Sequence, residues 1–136
     1  MSTIETQAVL SAQDLLRYEG EGGIEFAHGQ LWEKPVSIAS ARVAARIIAV
    51  LGDGAEKSGG ADVFGSSMGY RCFREEPLRF RKPDVSVVRR DRIKDLDPNE
   101  SFMPIPPDLA VEVISPTIWP TTWTARWRST WLTASA

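Results

Sequence analysis

From Ser37 to Gly60 the chain reads "SIASARVAARIIAVLGDGAEKSGG", alanine-rich, with Val43, Ile47, Val50 and Leu51 at helical spacing and glycine breakers at its end. From Asp62 the period changes. "DVFGSSMGYRCF", "PDVSVV" and "DLAVEVI" are short β-branched runs between turn residues, joined in part by the polar, proline-rich connection "RRDRIKDLDPNESFMPIPP". Upstream, Ser11 before "AQDLLRY" predicts a capped short helix. "IEFAHGQLWEKP" predicts a hairpin turning at His28-Gly29, with Ile24, Phe26, Leu31 and Trp32 near the core. A switch from helical to strand period within one chain implies an α/β fold, a mixed sheet with a long helix packed on it, and excludes a bundle or a sandwich.

The glycines after the long helix do not make a phosphate loop. Lys57-Ser58 follow Glu56, and the segment ends a helix where a phosphate loop would open one. At 136 residues the chain supports one core. No apolar run approaches the roughly 20 residues needed to cross a bilayer, and the N-terminus has no export pattern, so a cytoplasmic location is expected. One cysteine and one histidine cannot build a zinc cage, so any metal would be held mainly by carboxylates. Cys72 reads as a small core residue and His28 as a solvated turn residue.

Two carboxylates stand where chemistry can use them. "LAVEVI" (109–114) is apolar on both faces and reads as a central strand, yet Glu112 lies within it. Burying an ionised carboxylate costs several kcal/mol unless a cation compensates, so Glu112 needs a partner: an arginine such as Arg79 or Arg81, or a metal ion. Asp84 follows Pro83, which suits the first residue of a strand, and so sits at a sheet end. Two hard oxygen donors on neighbouring strands suit Mg²⁺. Between Arg71 and Lys94 nine basic residues face four acidic ones. The stretch reads as a solvated face or as a phosphate-contacting stripe, in which Arg79, Arg81, Lys82, Arg89 and Arg90 would touch nucleic acid.

Taken in order, "GQLWEKP", "RKPDVSVV" and "PPDLAVEVISP" resemble the Uma-two family of restriction endonucleases, a branch of the PD-(D/E)xK nuclease superfamily, over roughly residues 11–116. The resemblance implies a restriction-endonuclease-like fold and metal-dependent hydrolysis of DNA phosphodiester bonds. Mg²⁺ would be held by Asp84 and Glu112 with Glu33 as a further acidic ligand, and two copies would pair to cut both strands. The superfamily's lysine is missing: Ile114 occupies its place in a plain E-x-K motif, and no lysine follows Lys94.

The tail explains that gap in one reading. Trp119, Trp123, Trp127 and Trp131 recur every four residues among threonines, arginines and Pro120, a pattern that makes a poor helix and would leave four indoles as an exposed patch. Tryptophan has a single codon, and shifting the frame by one base lets the tail read "DLAYDVDGKVEEYLADGER", an amphipathic helix with lysine at the position of Arg126. On this reading residues 1–117 are a truncated nuclease domain and 118–136 an out-of-frame tail, and the chain is inactive. The competing class is a non-catalytic nucleic-acid-binding module or a remnant without function.

Overall fold

The computed structural model describes residues 2–3 and 11–114. A short helix α1 (Ala12–Leu15) is capped at Ser11, whose hydroxyl accepts from the Asp14 N–H while the Asp14 carboxylate accepts from the Ser11 N–H. It runs into a 3₁₀ turn over Leu16–Tyr18. Next come the strands β2 (Ile24–Ala27) and β3 (Gln30–Glu33), with β1 (Ser2–Thr3) pairing on the outer side of β3. Only His28 and Gly29 separate the paired residues Ala27 and Gln30, and both take positive φ, 54° and 75°. That is the geometry by which a two-residue turn matches the twist of its strands.

The alanine-rich stretch is helix α2 (Ile38–Ser58), capped by Ser37 and stopped at Gly59, whose φ of 70° is a left-handed helix end. It packs on β4 (Ala61–Phe64) and reaches β6 (Val85–Arg89). Its half-buried positions include Ala44, Ile48, Leu51 and Ala55, whereas Val43 and Val50, part of the helical spacing read from the sequence, are exposed. Both sets have helical spacing, and the alanines let the narrower face approach the sheet.

Strands β4, β6 and β8 (Leu109–Val111) form an antiparallel sheet in the order β4-β6-β8. The expected central strand is therefore corrected: among the described residues β8 lies at an edge and Leu109 is exposed, while β6 takes the middle. The polar, proline-rich connection carries α3 (Arg90–Ile93) and β7 (Phe102–Met103), which pairs in parallel with β5 (Gly69–Tyr70). Gly69 is needed there, because a Cβ would lie 2.7 Å from the Phe102 ring. Residues 80–82 stitch the layers together: Phe80 exchanges two backbone hydrogen bonds with Phe26 of β2, and Arg81 two with Tyr70 of β5. Leu15, Phe26, Leu31, Phe80 and Phe102 form one core; Tyr70, Val88 and Met103 form a second.

Candidate functional site

Register brings the two acids together. Val85 pairs with Val111 in the antiparallel ladder of β6 and β8, so Asp84, one step before, lies opposite Glu112, one step after. The Asp84 carboxylate receives the Val113 N–H at 2.7 Å through Oδ2, tying the end of β6 to the segment beyond β8. Among the described residues neither acid pairs with an arginine. Both converge on the Lys34 ammonium, with Nζ 2.5 Å from Glu112 Oε2 and 3.2 Å from Asp84 Oδ1. Lys34 also donates to the Lys82 carbonyl at 2.8 Å, and Glu25 Oε1 stands 3.9 Å from its Nζ.

The hairpin supplies this lysine through strand alternation. Glu25 sits opposite Trp32, and Lys34 lies two residues past Trp32, so Glu25 and Lys34 project from one face. Phe26 and Leu31 fill the core from the other. Lys34 is 6% exposed and Glu25 1%. The Glu25 carboxylate accepts the Lys82 N–H at 3.0 Å and pairs with Arg81 Nε at 3.0 Å. The same alternation corrects the expectation for Glu33. It pairs with Ile24 on the opposite face from Lys34 and is exposed, outside the cluster.

Burial pulls the Lys34 pKa down, but the attraction of Glu112, Glu25 and Asp84 outweighs it, and the net direction is up: the ammonium stays charged. The Glu112 carboxyl is pushed up to about 8, first by burial, which the Lys34 charge opposes, and further by its two acidic neighbours. Its side chain is 8% exposed, against 22% for Asp84. Asp84 opens into a cleft of about 260 Å³ between the start of α2 and the strand ends, lined by Pro35, Ser40, Ala41, Ile48 and Val113 among others.

The basic stripe is dispersed, which corrects the phosphate-contacting role expected of three of its members. Arg79, Arg81 and Lys82 are buried and committed to the protein. Arg79 pairs with Glu76 and lies over the Phe73 ring, Arg81 pairs with Glu25, and the Lys82 ammonium donates to the Tyr18 and Glu21 carbonyls. Aromatic neighbours and backbone oxygens took these cations inward, an outcome that charge counting along the chain does not register. Arg89 and Arg90 are exposed, paired with Asp91 and Asp62. His28 is exposed and paired with Glu76. Cys72 is half-buried beside the second core, and burial pushes its thiol up to about 11.

Mg²⁺ takes carboxylate oxygens and demands a nearly octahedral shell. Asp84 and Glu112 have that donor chemistry, but the point where they converge is held by an ammonium. Among the described residues no group of three or more His, Cys, Asp or Glu side chains is arranged to hold a metal. As arranged, the residues do not fit the ion. Reading the sequence missed Lys34 and Glu25. The available signal was period two along the hairpin, which puts both on one face.

The fold is that of nuclease-like α/β proteins. A crystal structure described as "a putative nuclease belonging to DUF820 from Anabaena variabilis" matches with a TM-score of 0.66 at 21% identity, over 86% of this chain and 65% of that one. Residues 12–118 match the Uma2 family model, "Putative restriction endonuclease", and the chain belongs to that family. No curated protein matches it. No helix among the described residues is long and apolar enough to cross a membrane. The tail from 118, with its tryptophans and Arg126, lies outside the described residues.

Proposed function

We propose that this chain descends from DNA endonucleases that hydrolyse phosphodiester bonds, that Asp84 and Glu112 are its acidic pair, and that in the present arrangement it does not cleave DNA. The observation that carries the reading is the convergence of these two side chains at the paired ends of β6 and β8. Acid pairs at strand ends are what phosphodiester chemistry uses to organise a cation and a water. Family membership supports the substrate class. Mg²⁺ belongs to the proposal only for a chain in which Lys34 has left the acids. Phosphate contacts fall to Arg89 and Arg90, whose guanidinium groups reach solvent.

The inactivity has two sources in this reading. Lys34 occupies the acids, and the superfamily's lysine would return only if the frame were restored from residue 118 onward. Arg126 is no replacement, since a delocalised guanidinium does not act as a compact ammonium does. Plasmid nicking with Mg²⁺ tests this for the chain as given and for the frame-restored version. Cleavage by the restored chain carrying Lys34→Met, abolished by adding Asp84→Ala, with none by the chain as given, is the expected result. Salt-sensitive binding with no cleavage by either would replace the nuclease by a binding module. Independent sequencing of the locus tests the tail: an intact frame through codon 118 would end the frameshift idea.

A second reading has an observation in its favour. Asp84 and Glu112 are already paired from within with Lys34, and the neighbouring Glu25 with Arg81, as in a buried structural network. It predicts that Glu112→Gln leaves the melting temperature unchanged or raises it, and that Mg²⁺ produces no shift in any variant.

A further inference from the structure

An ammonium has three N–H donors, and those of Lys34 have three close oxygen partners: Glu112 Oε2 at 2.5 Å, the Lys82 carbonyl at 2.8 Å and Asp84 Oδ1 at 3.2 Å. Its hydrogen bond goes to the Lys82 carbonyl and its charge faces the two carboxylates, so the ammonium is committed within the protein. Lys34 therefore does not stand in for the missing superfamily lysine in this arrangement. Its backbone is anchored as well, the N–H donating to the Gly23 carbonyl at 2.7 Å, so the side chain reaches the acids from a fixed hairpin. A cation in contact with both carboxylates does electrostatically what a bound metal would do.

We propose that Lys34 is the resident cation of this acid cluster, and that its ammonium and a divalent metal ion are mutually exclusive occupants of it. The proposal rests on the reading of Asp84 and Glu112 as the acidic pair. Once the ammonium is gone, Glu25, Asp84 and Glu112 at full ionisation face, among the described residues, one remaining ion-paired cation, Arg81. That excess of negative charge matches a divalent ion, and their oxygens are the hard donors that Mg²⁺ and Mn²⁺ take. Entry needs no unfolding, because Asp84 already faces the cleft beside α2. The site is thus closed to metal by a side chain of the same fold.

Lys34→Met keeps the stem's bulk and deletes the charge. The full chain and the variant are compared by Mn²⁺ titration, followed by the spin signal of the free ion, and by melting in EDTA and in millimolar Mn²⁺. The wild type is expected to bind Mn²⁺ weakly and to melt at the same temperature in both. Lys34→Met is expected to bind at least about tenfold tighter, to melt low in EDTA and to recover in Mn²⁺, and adding Asp84→Asn is expected to cancel the gain. Equal Mn²⁺ affinity of the wild type and Lys34→Met would overturn the proposal. Failure of both Lys34→Met and Lys34→Gln to fold even with Mn²⁺ present would do so too, because the metal would then be unable to replace the ammonium. Tight binding by Lys34→Met without plasmid nicking in the frame-restored background would leave the exclusive occupancy standing and remove the nuclease reading.

Discussion

Lys34 and Lys82 are both buried, and both carry their ammonium into the interior of the hairpin layer, yet their surroundings differ in kind. Lys82 is received by backbone carbonyls, those of Tyr18 and Glu21, and its ammonium lies over the Phe80 and Phe102 rings. Lys34 is received by carboxylates. Burial moves the Lys82 pKa down, and its more distant acids do not reverse that. The Lys34 pKa moves up because its acids outweigh the same burial effect. Neutral dipoles make a lysine a structural pin, here fastening the turn after α1 to the core. Carboxyl groups make it, in our proposal, an occupant of a site that another cation could fill.

The largest expected effect comes from Glu25, which serves both lysines by accepting the Lys82 N–H and standing beside the Lys34 ammonium while pairing with Arg81. Glu25→Ala leaves the buried Arg81 without its carboxylate and should cost about 3–5 kcal/mol in urea denaturation. A loss under 1 kcal/mol would mean that the network contributes little to stability. Lys82→Met should cost about 2 kcal/mol, since two carbonyls lose their donor, and divalent ions should not restore it. Recovery in Mn²⁺ would erase the contrast between the two lysines.

Glu112 gives a smaller effect that depends on pH. Its folded pKa of about 8 lies above the ordinary carboxylate value, so between these two values the folded state holds more protons than the unfolded one. Stability from this group is present below the ordinary value and is lost as pH rises through about 8. Melting temperature should therefore fall from about pH 5 to about pH 8.5, with a shallower slope in Glu112→Gln. An unchanged slope would place the titration on another group. At the far end of the scale, His28→Asn at the hairpin tip should shift stability by no more than about 0.5 kcal/mol, because asparagine suits the positive φ and the exposed pair with Glu76 contributes little.

The acidic pair was legible because each member sits in a local signal. Pro83-Asp84 marks a strand start, and an acid within "LAVEVI" asks for a partner. Lys34 was not legible as that partner, because it is 78 positions from Glu112 in numbering and nothing in either segment names the other. The basic stretch misled for a related reason. Arg79, Arg81 and Lys82 share one basic stretch with the exposed Arg74, Arg89 and Arg90, but the bridges of Phe80 and Arg81 to β2 and β5 pull that segment between two layers.

By itself the sequence determined what depends on neighbours along the chain: the capped helix at Ser11, the long alanine-rich helix with its glycine stop, the turn at His28-Gly29, the strands around Val63 and Val87, and the α/β class they compose. Caps, turns and periodicity are short-range properties, so a few residues suffice to specify them. Tertiary structure alone decided which cation answers which acid. Ion pairing follows distance in space, and strand register and the stitching of residues 80–82 set those distances by bringing remote segments into contact.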